Sequence, residues 1–128
     1  MALTDLRINE LQVSTTGTDF EFIELFGPAG QALDGVFLLV IESDPEGASA
    51  ATSPGRVDRV VDFTGQTIQS DGLYLAISPQ GATTYGVPSD GTVSIANDSF
   101  ENSSATYLLV QGFTGAVGSD LDANNDGA

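Results

Sequence analysis

Asp19-Phe20-Glu21-Phe22-Ile23-Glu24-Leu25-Phe26 places five large apolar residues in eight positions, without Gly or Pro. Turn-forming residues bound it on both sides, Thr15-Thr16-Gly17-Thr18 before and Gly27-Pro28 after. An apolar, aromatic-rich run closed by such breakers is predicted to be one buried β-strand. Side chains alternate along a strand, so Glu21, Ile23 and Leu25 share one face and Phe20, Phe22, Glu24 and Phe26 the other. Neither face is purely polar. One is expected in the core and the other under a loop or against a partner. A carboxylate on a half-covered face requires a cation, a donor or water, so neither Glu21 nor Glu24 is expected to be idle.

The remaining chain reads as more strands. Leu6 to Val13 alternates but switches sides near Asn9-Glu10, the mark of a β-bulge. The Thr/Gly turn that follows makes an antiparallel hairpin with the central strand. Val36 to Glu42 is continuously apolar up to its last residue, which suits a strand buried on both faces. Residues 43 to 56, broken by Pro45, Gly47, Pro54 and Gly55, read as a long loop. Val57 to Phe63, a short Thr67-Ile68 segment, Leu73 to Ile77, a short strand near Val93 to Ile95, and Thr106 to Gln111 follow. No amphipathic helix is read. About seven or more strands joined by glycine-rich turns make an all-β, antiparallel β-sandwich. Its interior is expected to hold Ile23, Leu39, Leu75 and Leu109. The domain runs from residue 3 to 115, and residues 116–128 form an acidic Asp/Asn-rich tail.

Composition limits the chemistry. At 128 residues the chain is one domain, long enough to bury a core unaided. It contains no Cys and no His, so disulfides, thiolate or imidazole metal sites and the Ser-His-Asp mechanism are excluded within it. The net charge of -15 arises from 18 acids against three bases, Arg7, Arg56 and Arg59, with no Lys at all. Such a surface repels phosphate and anionic lipid, so no nucleic acid is expected to bind directly. Divalent cations and cationic partners are favoured instead. The longest apolar run, Val36 to Ile41, is far too short for membrane insertion as a helix. Met1-Ala2-Leu3-Thr4-Asp5 lacks the basic and apolar regions of a signal peptide, so the chain is expected to be cytoplasmic or a piece of a longer secreted protein.

Four blocks in order, Ile8-Asn9-Glu10, Glu21 to Leu25, Leu33 to Leu38 and Gly72 to Ala76, resemble the successive blocks of the lamin-tail domain. The resemblance spans nearly the whole chain. It implies an immunoglobulin-like β-sandwich and, since a rod and basic charge are lacking, a bacterial member of the kind found beside secreted or surface hydrolases. Such members are taken to be non-catalytic, and often accompany nuclease or phosphatase domains. One departure is Gly27, where many members carry Asn.

Candidate sites are few. Asp122-x-Asn124-x-Asp126-Gly127 matches the start of an EF-hand type Ca²⁺ loop, with Asp120 extending the spacing. The bidentate acid that completes such a loop does not follow before Ala128, so this half-site is expected to bind weakly unless a longer protein continues it; a plain acidic linker is the simpler alternative. Glu21 and Glu24 invite a glycosidase reading, but alternation sets them on opposite faces. Glu10 and Glu24 pair better if their strands are neighbours; a hydrogen-bonded or Arg-paired structural carboxylate, with Arg7 as the candidate partner, is the simpler role. Arg56 and Arg59 beside Asp58 and Asp62 read as surface charge pairs. Phe22, Phe26 and Tyr74 are either core or an aromatic patch. Glu10, Phe22, Glu24 and Phe26 thus form the candidate interaction face, for a protein or surface-glycan partner or for homodimerisation. The function expected is a non-catalytic binding or tethering module of a secreted or cell-surface protein, Ca²⁺-linked. Its rivals are an accessory domain serving a neighbouring hydrolase and a self-associating structural module.

Overall fold

The computed structural model describes residues 5–43, 54–88, 92–100 and 104–121. In chain order the elements are β1 (Arg7–Gln12), β2 (Phe22–Phe26), β3 (Val36–Glu42), β4 (Val57–Asp62), β5 (Leu73–Ile77), α1 (Pro79–Tyr85), β6 (Thr92–Ser94) and β7 (Ala105–Gln111). They build two separate sheets, β1-β2-β5-β6 and β4-β3-β7. The fold is all-β, of sandwich class, as the strand pattern predicts. Each sheet belongs to its own compact unit, one formed by Met1–Asp34 with Phe63–Asn102 and one by Gly35–Asp62 with Ser103–Ala128.

In the first unit β2 is central, antiparallel to β1 and to β5. The expected bulge is present: the β1/β2 register shifts between Ile8 and Glu10, leaving Asn9 as the extra residue. That insertion puts Ile8 and Leu11 opposite Leu25 and Ile23, on the buried side of β2. Ile23 and Leu25 are fully buried, together with Leu33, Phe63, Ile68, Tyr74 and Ala76. Tyr74 and Ala76, not Leu75, supply the core side of β5. Tyr74 meets Phe63 edge-on at 6.0 Å and donates its hydroxyl to Gln66 Oε1 at 2.7 Å, so its polar end is satisfied inside.

Two features depart from the sequence reading. β5 and β6 are parallel, and parallel strands need a crossover; α1 supplies it. Ser78 caps this helix by accepting from Gly81 N–H, Pro79 occupies its first turn, and Gly86 ends it at φ 66. That left-handed conformation costs Gly little, and the Gly86 N–H reaches Ala82 O. Seven residues are too few to show a helical apolar stripe, and the Ser78-Pro79 signal reads equally well as a strand end.

In the second unit β3 is flanked by antiparallel β4 and β7. As expected, β3 is buried on both faces, through Val36, Leu38 and Val40 on one and Leu39 and Ile41 on the other. Leu39 and Ile41 cluster with Val57, and Phe37, Val60, Val110 and Phe113 pack against them. Leu109 is only half-buried. Residues 116–121, placed by the sequence reading in the tail, run beside the start of β4. Val57 N–H donates to Ser119 O at 2.9 Å, Gly118 N–H to Val57 O at 2.7 Å and Leu121 N–H to Gly55 O at 3.0 Å.

Candidate functional site

The face of β2 opposite the core carries three cross-strand rows. Arg7, Phe26 and Leu73 form one, Glu10, Glu24 and Leu75 the second, and Gln12, Phe22 and Ile77 the third. Partners in an antiparallel ladder project to the same side, so the second row sets two carboxylates directly against each other. The Asn9 side-chain amide donates to Glu24 Oε1 at 2.6 Å, a contact that the bulge makes available.

Over the third row leans Tyr85, from the last turn of α1. Its ring meets Phe20 and Phe22 edge-on at 6.2 and 6.1 Å, and its hydroxyl accepts from Gln12 Nε2 at 2.6 Å. Strand rows and helix end together enclose a groove of about 380 Å³, lined by Glu10, Gln12, Phe22, Glu24, Leu75, Ile77, Tyr85 and Val87. A larger hollow, about 430 Å³, lies between α1 and β6, but among the described residues no ionisable side chain lines it. Size alone would favour the latter; the chemistry lies in the former. Sites that bind small groups combine an apolar lining with a few placed polar atoms, and the groove has both.

Glu21, one residue before β2, has a different role. It is fully buried, and its carboxylate accepts from Ser99 N–H and Phe100 N–H, each at 2.7 Å. Its own backbone exchanges bonds with Ser78: Ser78 N–H donates to Glu21 O at 2.9 Å, and Glu21 N–H to Ser78 Oγ at 3.3 Å. Ser78 Oγ also caps α1. Gln80 N–H, in the first turn of that helix, donates to Asn97 Oδ1 at 3.0 Å. One buried acid therefore joins the start of β2, the helix cap and the loop at 97–100. Burial pushes its carboxyl pKa above the ordinary value; the Ser99 and Phe100 amides oppose this, and the Asp19 and Asp98 charges add to it.

The arginines are used elsewhere. Of the simpler sequence reading, the hydrogen-bonded form holds for Glu24 through Asn9, whereas Arg7 bonds no carboxylate of this face; its guanidinium lies 4.5 Å from the centre of the Phe26 ring. Arg59 pairs with Asp58 at 2.9 Å, as expected, whereas Arg56 reaches across to Asp120 at 2.9 Å and to Gly118 O at 3.0 Å. Part-exposed ion pairs contribute little, so Arg56→Ala is expected to cost about 1 kcal/mol or less. Its visible effect should be faster amide exchange at Val57 and Gly118, which hold the 116–121 segment. Unchanged exchange there would mean that the backbone bonds hold the segment unaided.

Of the sequence candidates, the structure brings Glu10, Phe22 and Glu24 into one groove and leaves Phe26 beside it under Arg7. Tyr74 belongs to the core. Glu21 and Glu24 lie on opposite sides, as alternation requires. Asp122, Asn124 and Asp126 lie outside the described residues. Asp120 is described, and a Ca²⁺ ion at its carboxylate would compete with Arg56.

No family model, curated protein or solved structure matches the chain.

Tyr85, Val87, Leu75, Gln12 and Ile77 are the groove residues that sequence reasoning missed. The first two depend on α1, whose capping residues Ser78 and Gly86 were the available signal. Leu75 sits in a run where every residue is apolar, so alternation could not say which side it takes. Gly27 also gains a reason. A Cβ there would lie 2.9 Å from Leu6 Cδ1, so Asn at this position would have to displace a buried leucine.

Proposed function

We propose that this chain is a non-catalytic binding or tethering module of a secreted or cell-surface bacterial protein, on a lamin-tail-like scaffold. The groove on the outer face of β1, β2 and β5 carries the reading. It offers two opposed carboxylates and an aromatic wall, and it rests on strands whose other face is rigidly packed, which favours presentation of a fixed surface. The absence of His and Cys from the chain removes the usual nucleophile and base pairs. Glu21, the acid with a raised pKa, accepts backbone amides on the core side, away from the groove. Ca²⁺ belongs to the same proposal through Asp120, Asp122, Asn124 and Asp126.

The double variant Phe22→Ser/Tyr85→Ser tests it. The isotope-labelled chain is screened by NMR against mixtures of neutral sugars, amino acids and short peptides. Ligand-induced shifts should concentrate at groove residues of the parent chain and vanish in the folded variant, with affinity falling at least about tenfold. Shifts scattered over the surface, or none from any class, would remove the groove as the binding site.

A further inference from the structure

We infer that the groove takes a basic segment of polypeptide, a Lys or Arg side chain lying between Glu10 and Glu24. This rests on the binding-module reading above and names its ligand. Like charges directly opposite in an antiparallel pair are unfavourable, and here the exposed Glu10 and the half-buried Glu24 face each other beside an apolar wall. Among the described residues no cation is paired with either carboxylate. The chain has no Lys or His, and its three arginines lie against Phe26, Asp120 and Asp58. Among the described residues no hydrogen bond or ion pair reaches the Glu10 carboxylate, and that of Glu24 receives only the neutral amide of Asn9. A cation supplied from outside the chain would complete the row.

The rest of the lining selects what kind of cation. A bare metal ion seeks several oxygens, whereas besides its two carboxylates the groove offers only Gln12 and Tyr85, which bond each other, and is otherwise lined by Phe22, Leu75, Ile77 and Val87. Lys and Arg carry a charge on an apolar stem, and Arg also stacks on aromatic rings, so one side chain satisfies both the acids and the wall. Beyond Glu24 and Val87 a second hollow of about 250 Å³ continues the groove and adds a further acid, Asp71. Two adjoining hollows, each with a carboxylate, suit a chain bearing successive basic residues better than a single small amine.

The test is NMR titration of the labelled chain with an acetylated peptide alternating Lys and Ala. The comparison probes are its Glu/Ala counterpart, a linear triamine and a neutral oligosaccharide. The Lys/Ala peptide should give saturable shifts at Glu10 to Gln12 and Phe22 to Glu24. The double variant Glu10→Gln/Glu24→Gln should weaken it about tenfold or more while melting no lower than the parent, since a repulsion has been removed. Asp62→Asn, an exposed acid of the other sheet, should leave affinity unchanged. Equal weakening by Asp62→Asn would overturn the inference in favour of diffuse attraction to an acidic protein. A triamine that binds as tightly as the peptide would overturn the polypeptide assignment. Groove shifts from the oligosaccharide but not the peptide would overturn the cationic ligand and leave the binding-module reading standing. Silence from every probe would remove both.

Discussion

Glu21→Ala is expected to lower stability by about 3 kcal/mol, because two buried backbone donors lose a charged acceptor at once. Phe100 is buried and Ser99 half-buried, so neither amide turns freely to water. Part of the loss is offset, since the variant no longer buries a carboxyl group, and the raised pKa shows that this burial is unfavourable to the charged form. Glu21→Gln keeps one acceptor oxygen but turns an amide nitrogen toward the second donor, and should cost about half as much. Amide exchange at Ser99 and Phe100 should accelerate in both variants. A loss under about 1 kcal/mol with those amides still protected would mean that the 97–100 loop is held by other contacts.

The same group makes stability depend on pH. A folded pKa above the ordinary 4.5 means that the native chain holds this proton more tightly than the unfolded chain does. Its contribution is therefore fully present below the ordinary value and is lost as pH rises through the raised one. The difference in unfolding free energy between the parent and Glu21→Gln should change across that window and be flat on either side. A difference that moves in the opposite direction would mean that the two amide bonds outweigh burial.

Leu25→Ala is expected to cost about 3 kcal/mol, within the usual 2–5 for an enclosed leucine, because the space left cannot be refilled by the fixed strands around it. Leu25 is 0% exposed and lies between Ile8 and Tyr74 in the sheet. Melting should fall by roughly 10 °C in a chain of this size. Leu75→Ala removes the same atoms from the groove side, where the residue is half-buried, and should cost about 1 kcal/mol. The contrast tests the register directly, since a slip of one residue would exchange the faces. Equal losses, or a larger one at Leu75, would contradict the assignment of sides.

Much of this was legible because β2 is two-faced in a way that alternation exposes. Glu21, Ile23 and Leu25 could be assigned together before their neighbours were known, and the bulge at Asn9 showed itself as a change of side within β1. The pairing of Glu10 with Glu24 followed once those strands were adjacent. Other features depended on distant encounters that local pattern does not encode. Arg56 finds Asp120 only because the chain after Gly115 returns along β4, and Arg7 meets the Phe26 ring because cross-strand register, not charge, chooses its neighbour. α1 stayed hidden for a different reason: its information is confined to its ends, and the crossover it provides matters only once β5 and β6 are known to be parallel.

The central claim is that two glutamates three residues apart serve two purposes, Glu21 just before β2 turned inward to hold the fold and Glu24 on β2 turned outward to meet a cationic ligand. Thermal unfolding of Glu21→Gln and Glu24→Gln, each with and without saturating Lys/Ala peptide, tests it most directly. The account expects Glu21→Gln to melt lower but keep the peptide-induced rise in Tm seen in the parent. It expects Glu24→Gln to melt within about 2 °C of the parent and lose most of that rise. Loss of the rise in Glu21→Gln with its retention in Glu24→Gln would contradict it.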